Sequence, residues 1–173
     1  NKARYHYAGT PEPKLYGGLN TTLSWKGLSL SAFFEFKWGN KVFLVENRYI
    51  TSDGNQMGAN QAVYALDYWE KPGDTGTNPR PFAGNSTNSY TWSDRYLQDG
   101  SHIRLKDITL AYNLPQKALE KLHIQGLKLY VSGLNLYTAH DVSFWDPERG
   151  VTGLGYGIYP ITKTIVGGIE LTF

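Results

Sequence analysis

The side chains that most often perform catalysis are scattered along this chain rather than grouped. Cysteine is absent, which excludes disulfide scaffolds, thiolate metal sites and cysteine nucleophiles. The four histidines lie in separate segments, at His6, His102, His123 and His140, and no metalloprotease, serine-hydrolase or phosphate-binding-loop pattern accompanies them. We therefore predict no catalytic residue and no cofactor, and we do not expect the chain to be an enzyme.

Two short acidic segments come nearest to a metal site. His140-Asp141 and Asp146-Pro147-Glu148 together hold an imidazole and several carboxylates, which are groups that bind divalent cations. Aspartate beside proline is also typical of turns, and we favour a structural turn here. The sequence therefore predicts no metal ligands.

Aromatic side chains in the long polar segments are the best candidates for binding a ligand. The chain contains 13 tyrosines and 5 tryptophans. Their rings can stack on sugar rings or on peptide side chains, so we predict substrate contacts for Trp69, Trp92, Trp145 and Tyr156. For most loop aromatics we favour the alternative, in which the rings pack the loops together or contact a partner protein.

The segments that position these rings alternate between apolar and polar residues, as β-strands do. In Leu15–Trp25 the odd-numbered residues are mostly apolar, and in Leu28–Trp38 the even-numbered residues are apolar. The two residues between these runs, Lys26-Gly27, predict a tight β-hairpin.

Three further strands are predicted at residues 101–114, 127–137 and 161–173. The alternation changes phase near Lys106 and near Gly133, which predicts a β-bulge at each place. Runs of about 11 to 14 residues are longer than most strands of globular proteins and long enough to cross a bilayer.

Short and long connections alternate along the chain, which is typical of an all-β, antiparallel transmembrane β-barrel. A short helix is predicted from Pro115 to Leu122 in one of the short connections. Five strands cannot close a bacterial barrel, because its strand number is even, so we expect the C-terminal part of a larger barrel. The predicted regions are the end of an extracellular loop (1–14), a barrel hairpin (15–40), a long extracellular loop (41–100), a hairpin with a periplasmic helical turn (101–137), an extracellular loop (138–160) and the final strand (161–173).

The composition fits a sheet with one face in lipid. Lys plus Arg number 17 and Asp plus Glu 15, so a formal net charge of +2 gives no basis for nucleic-acid binding. No apolar run reaches the roughly 18 residues of a membrane-spanning helix. The mean hydropathy of −0.43 suits strands that alternate between lipid and water, because every second residue is then polar.

The barrel interpretation predicts a role for aromatic and charged residues on the strands. Rings near strand ends are expected at the membrane interface, where amphipathic rings meet lipid headgroups. Charged residues on the strands are expected to face the polar lumen, with Lys128 and Glu170 either paired or, as we slightly favour, simply solvated. The interface residues are Trp25, Trp38, Tyr112, Tyr137 and Phe173, and the lumen residues are Glu35, Lys37, Lys128 and Glu170.

Several stretches match one protein family in the order in which they occur. They include Tyr68-Trp69-Glu70-Lys71-Pro72-Gly73-Asp74, Asp99-Gly100-Ser101-His102-Ile103-Arg104-Leu105-Lys106-Asp107-Ile108-Thr109-Leu110, Tyr130-Val131-Ser132-Gly133-Leu134-Asn135-Leu136 and Gly167-Gly168-Ile169-Glu170-Leu171-Thr172-Phe173. With them, the sequence resembles the C-terminal barrel region of the SusC/RagA family of TonB-dependent outer-membrane transporters.

The resemblance implies a barrel of about 22 strands with an N-terminal plug, in the outer membrane of a Gram-negative bacterium. It also implies a SusD-like surface lipoprotein as a lid, the TonB complex as the energy source, and oligosaccharides or peptides as substrates. Two alternatives are a secreted carbohydrate-binding β-sandwich, which explains the aromatic content but not the strand lengths, and an outer-membrane barrel enzyme, for which the sequence offers no convergent catalytic set.

Overall fold

The computed structural model describes residues 4–85, 87–120, 124–155 and 157–173, which fall into two compact units. The sheet unit contains residues 13–40, 100–147 and 159–173, and the loop unit contains residues 1–12, 41–99 and 148–158. The elements, in chain order, are β1 (Leu15–Trp25), β2 (Leu28–Trp38), β3 (Lys41–Leu44), α1 (Val45–Ile50), a 3-10 helix (Val63–Leu66), a second 3-10 helix (Asp94–Tyr96), β4 (Leu97–Asp99), β5 (His102–Asn113), α2 (Gln116–Leu119), β6 (Gly126–His140), β7 (Leu154–Gly155) and β8 (Thr164–Thr172).

The sheet unit is one antiparallel sheet of five strands in the order β1-β2-β5-β6-β8. The first two strands coincide with the two alternating runs predicted from the sequence. β6 is longer than the predicted run and extends from Gly126 to His140, whereas β8 begins at Thr164, three residues after the predicted start. The strands therefore differ from the predicted runs in where they begin and end.

The tight connection between β1 and β2 depends on two residues with positive φ. Lys26 has φ 48° and Gly27 has φ 87°, as a two-residue hairpin turn requires. A Cβ at position 27 would lie 2.6 Å from the carbonyl oxygen of Asn113, so glycine also permits a close approach to β5. Pro115 is the residue before α2 and not part of its first turn, and residues 121 and 122 of the predicted helix lie outside the described residues.

One predicted bulge lies at Lys106. The register between β2 and β5 shifts between Phe33 and Phe34, which pair with Asp107 and Leu105. Lys106 is therefore the extra residue of β5, as the change of phase in the sequence predicted.

The second predicted bulge was placed two residues too early. Gly133 pairs regularly with Ile108 on one side and Ile165 on the other. The irregularity instead lies after Leu134, where Asn135 has φ 53°, a conformation that asparagine tolerates better than most residues. The bulge was predicted at Gly133 because glycine in a strand often marks a bulge, but here the pairing of Gly133 is regular.

The two faces of the sheet differ in character. Leu19 lies opposite Phe34, and Leu110 lies opposite Val131, so the apolar residues of neighbouring strands share one face, which we call the apolar face. Leu19 is 61% exposed, Leu110 42% and Ile169 67%. These side chains do not form a shared dry core, and the apolar face requires another apolar environment.

The loop unit contains elements too short to produce a sequence period. β4 pairs antiparallel and β7 pairs parallel with β3, which is the central strand of a small sheet. Val42, Leu44, Val45 and Tyr96 are its main buried apolar residues. In the described part of the chain, no helix combines the length and the apolarity that crossing a membrane would require.

Candidate ligand-binding site

Arg48, on α1, is surrounded by three aromatic rings of the loop unit. Its guanidinium carbon lies 5.6 Å from the ring centre of Tyr49, 5.2 Å from that of Tyr90 and 5.4 Å from that of Trp92. These distances are within the range of cation–π attraction. Its Nε also donates a hydrogen bond to the carbonyl oxygen of Tyr90, at 2.9 Å. We call Arg48, Tyr49, Tyr90 and Trp92 the arginine cluster.

The small sheet of the loop unit holds Trp92 in place. Phe43, on the central strand β3, stacks on Trp92 with ring centres 4.6 Å apart and an angle of 20° between the planes. Phe43 also makes an edge-on ring contact with Tyr96, at 6.0 Å and 67°. Trp92 nevertheless remains 58% exposed. The ring is thus fixed by Phe43, and more than half of the residue's surface remains open to a ligand or partner.

A buried polar network supports the segment that carries Tyr90 and Trp92. The guanidinium of Arg95 donates from both terminal nitrogens to the carboxylate of Asp53, at 2.7 and 3.0 Å, and also to the side-chain oxygen of Asn78, at 2.8 Å. The hydroxyl of Ser89 donates to the same carboxylate, at 2.7 Å. We call this network the Asp53 clasp, because it joins segments that are up to 42 residues apart.

The charge state of the clasp follows from burial and from its ion pair. Burial raises the pKa of Tyr96 and of Tyr64, and the nearby positive charge of Arg95 acts in the opposite direction. Burial alone lowers the pKa of Arg95, but its hydrogen bond to Asp53 and the neighbouring acidic groups outweigh that effect and raise it. At neutral pH, Arg95 is therefore cationic and both phenols are neutral.

A second ion pair, which is buried, joins the segment before β7 to α1 within the loop unit. Arg149 donates to the carboxylate of Glu46 in the first turn of α1, at 2.7 Å, and both side chains are buried. A Cβ at position 155 would lie 2.8 Å from a terminal nitrogen of Arg149, so glycine leaves the space that this guanidinium occupies. The pair anchors the helix that carries Arg48.

Of the four predicted substrate-binding aromatics, the structure places one in the arginine cluster. Trp92 belongs to it, whereas Trp69 lies on a separate loop, where its backbone N–H donates to the carbonyl oxygen of Asn78, at 2.8 Å. Trp145 is half-buried in the sheet unit, and Tyr156 lies outside the described residues. Sequence reasoning missed Arg48, because an isolated arginine in a polar segment gives no sign of the rings around it.

The polar face of the sheet carries ion pairs, both within one strand and between neighbouring strands. Glu35 lies 3.6 Å from Lys37 and 3.2 Å from Lys106, the bulged residue that the sequence analysis did not assign to this face. Lys128 and Glu170 occupy directly opposite positions and form an ion pair at 3.1 Å. These pairs place both signs of charge on the face opposite the apolar residues.

Asp146, in the acidic segment after β6, forms an ion pair within the sheet unit. One terminal nitrogen of Arg104 donates to both carboxylate oxygens of Asp146, at 2.7 and 2.9 Å, and the guanidinium is buried. Pro147 is fully buried. Across residues 4–85, 87–120, 124–155 and 157–173, no group of three or more acidic or histidine side chains is arranged to hold a metal ion.

Trp25, Trp38, Tyr112 and Tyr137 lie on the apolar face, and all five predicted interface aromatics are exposed. Trp25 pairs with Leu28, which pairs with Tyr112, so these two rings lie at one end of the sheet. Trp38 lies at the opposite end of β2, and Tyr137 lies on the same side of the bulge as Trp38. Phe173 follows the last residue of β8.

The sequence of the chain is similar to those of bacterial receptors. No protein-family model matches it. It is 34% identical to TonB-dependent receptor P26, 32% identical to TonB-dependent receptor P3 and 27% identical to TonB-dependent receptor P39, all from Formosa agariphila. These matches cover 95%, 95% and 91% of the chain, respectively, but only 17%, 17% and 16% of the receptors.

The structure of the chain is similar to those of solved transporters. The chain matches a chain of the RagAB peptide transporter with a TM-score of 0.83 and 29% identity. It matches the open-open state of the RagAB peptide importer with a TM-score of 0.78 and 31% identity. Each match covers 96% of this chain and 18% of the solved one. In both comparisons the chain therefore spans less than a fifth of the length of the proteins it matches.

Proposed function

We propose, from the premise that the chain belongs to the SusC/RagA family of TonB-dependent receptors, that it forms part of the wall and outer loops of an outer-membrane nutrient importer. The observation that carries the proposal is the exposed apolar face of the five-stranded sheet. A sheet that is apolar on one face and charged on the other suits a barrel wall between lipid and an aqueous lumen.

The charges on the polar face support this orientation. In a barrel, Glu35, Lys37, Lys128 and Glu170 would face the lumen, where water and opposite charges stabilise them. A lysine on the lipid face near the middle of the bilayer would instead cost about 2–4 kcal/mol. The exposed rings at the two ends of the sheet would then lie at the two membrane interfaces.

In this assignment the short turns are periplasmic and the long connections are extracellular. Residues 1–14, 41–100 and 138–160 are then outer loops, residues 15–40 and 101–137 form barrel hairpins, and residues 161–173 hold the final strand of a larger barrel. The outer loops carry the aromatic candidates for substrate contact.

The substrates we propose are oligosaccharides or peptides, taken up together with a SusD-like surface lipoprotein. The likeness to the RagAB peptide transporter favours peptides. A plug and the contact with the TonB complex would belong to parts of the protein outside this chain. Since the relatives are receptors and transporters, we propose transport and not catalysis.

The β-sandwich alternative fits the structure less well. A sandwich buries the apolar face of each sheet against the other. Leu19 and Ile169 instead remain 61% and 67% exposed.

The orientation of the sheet can be tested by labelling the intact receptor in outer-membrane vesicles. Leu19→Cys and Asn20→Cys would attach a spin label to neighbouring residues on opposite faces of β1. We expect the label at position 19 to be accessible to oxygen dissolved in lipid and the label at position 20 to a water-soluble nickel complex. Equal accessibility of the two labels to each reagent would overturn the barrel assignment.

Uptake is tested separately. Cells that produce the full receptor and its lipoprotein, and cells that lack the receptor, are supplied with fluorescent oligopeptides or oligosaccharides. We expect receptor-dependent accumulation of at least one of these substrates. Accumulation of neither would contradict the importer proposal.

A further inference from the structure

Arg48 is a half-buried cation with most of its hydrogen-bond donors unused. A guanidinium has five N–H donors. In the part of the chain that the structure describes, Arg48 forms one hydrogen bond, from Nε to Tyr90, and no ion pair. Its two terminal nitrogens therefore have donors available for a ligand.

The other part-buried or buried arginines of the loop unit differ from Arg48. Arg95 lies 2.7 Å from the carboxylate of Asp53, and Arg149 lies 2.7 Å from that of Glu46. In each case the loop unit supplies the opposite charge that a desolvated guanidinium needs. For Arg48 it supplies aromatic rings, which stabilise the cation but cannot accept bidentate hydrogen bonds.

The free end of Arg48 suits one chemical group in particular. A planar guanidinium pairs best with a carboxylate, through two parallel N–H···O bonds. The rings of Tyr49, Tyr90 and Trp92 exclude part of the surrounding water, which strengthens such a bond. We propose that Arg48 binds a carboxylate of the imported peptide, an inference that rests on the proposed function.

Two features favour a peptide over a sugar at this position. Stacking of a sugar requires a free aromatic face, whereas Phe43 stacks on Trp92 at 4.6 Å and Arg48 lies over the same ring. The exposed part of Trp92 can instead pack against an apolar side chain next to the bound carboxylate. The carboxylate is either the C-terminus of the peptide or an acidic side chain.

The test uses the intact receptor purified with its lipoprotein partner, and synthetic octapeptides as probes. One peptide set has a free C-terminus and neutral side chains, a second is amidated and contains glutamate, and a third is amidated and neutral. Arg48→Gln keeps much of the side-chain volume but removes the charge, and Arg48→Lys keeps the charge but removes the planar pair of donors. Arg80→Gln is the matched control, because Arg80 is an exposed arginine of the same unit.

We expect Arg48→Gln to weaken binding of one carboxylate-bearing set about tenfold or more and to leave the neutral set unchanged. The set that responds identifies the source of the carboxylate. Arg48→Lys should give an intermediate loss, and Arg80→Gln should bind as the natural receptor does. The heat-modified mobility of the barrel on a gel checks that each variant is folded.

Several results would overturn the inference. One is equal binding of all three peptide sets by the natural receptor and by Arg48→Gln. Another is a loss of the lipoprotein from Arg48→Gln, which would assign the carboxylate to the partner protein, and a third is Arg48-dependent binding of a uronate oligosaccharide but of no peptide. If the natural receptor neither binds nor imports any peptide, the preference for peptides in the proposed function fails together with the inference. If peptides are imported equally by the natural receptor and by Arg48→Gln, only the inference about Arg48 is contradicted.

Discussion

Tyr130 lies directly opposite Gly168 in the sheet, and its phenol ring covers the space where a Cβ of residue 168 would be. A diagonal version occurs in the first hairpin, where Gly18 lies opposite Glu35 and the ring of Phe33, two residues along β2, would lie 2.6 Å from a Cβ at Gly18. Glycine in a strand has no side chain to pack, and a ring on the neighbouring strand fills the space. These glycines are therefore positions at which two strands fit together.

Gly168→Ala should destabilise the receptor because the added methyl group displaces the Tyr130 ring. Overpacking of this kind costs about 1–3 kcal/mol. Gly167→Ala is the matched control, since the nearest atom to a Cβ at position 167 is 3.9 Å away. The measurement is the midpoint of urea unfolding of the detergent-solubilised receptor. Equal midpoints for the two variants would contradict this account of Gly168.

Asp53→Asn should loosen the loop unit without straining its backbone. Asparagine accepts the φ of 52° at this position, so the variant isolates the loss of charge. The Asp53 side chain is 3% exposed and that of Arg95 is 21% exposed. Removing one partner of such a pair costs about 2–4 kcal/mol, less than for two fully buried charges.

Hydrogen exchange of the receptor measures this effect. We expect faster exchange at residues 78–95 in Asp53→Asn. In Asp99→Asn, which breaks the exposed pair with Lys41, exchange should change little, because such a pair contributes at most about 1 kcal/mol. Unchanged exchange in Asp53→Asn would show that the clasp does not hold this segment.

Alkaline pH should destabilise the loop unit through its buried tyrosines. Burial, the largest cause, raises the pKa of Tyr96 above its ordinary value of 10.0, although the charge of Arg95 opposes this. The unfolded state then loses its proton at a lower pH than the folded state. The resulting stability is fully present below pH 10.0 and is lost as the pH rises through the folded pKa.

Tyr96→Phe removes the titrating hydroxyl and should reduce this alkaline loss. Limited proteolysis of the loops at a series of pH values, with a protease active in alkali, reports the stability of the unit. Tyr7→Phe, at an exposed tyrosine of the same unit, should behave as the natural receptor does. An identical pH profile for Tyr96→Phe would exclude Tyr96 as the group responsible.

The sequence predicted the sheet well because the environment of a barrel wall imposes a period of two. Over the 11 residues of β1 or β2, each side chain faces either an apolar or a polar environment, and the residue types alternate accordingly. A bulge shifts this alternation by one residue. Lys106 could thus be recognised as a bulge, but its contact with Glu35 could not be read from the pattern.

The arginine cluster could not be predicted for a different reason. β3 has four residues and α1 has six, which is too short for either a strand or a helical period to be visible. Arg48 and Tyr90 are 42 residues apart, so only the fold brings them together. The sequence could identify Trp92 as a candidate from its residue type, but not the cation beside it.

Adjacent residues on β8 offer the sharpest test of which face contacts lipid. Ile165 lies on the apolar face and Val166 on the polar face, and both are β-branched aliphatic residues. The row Ile165, Gly133, Ile108, Ala32 and Thr21 crosses the middle of the sheet, so position 165 lies near the middle of the bilayer if the sheet spans it. Ile165→Lys should cost about 2–4 kcal/mol there.

Val166→Lys should cost much less, because its ammonium group would enter the aqueous lumen beside Ser132. Urea unfolding of the receptor in lipid vesicles measures both variants, and the amount of folded barrel in the outer membrane gives an independent reading. A larger loss for Val166→Lys than for Ile165→Lys would mean that the charged face of the sheet contacts hydrocarbon. The lumen roles of Glu35, Lys37, Lys128 and Glu170 would then be wrong, because all four lie on the same face as Val166.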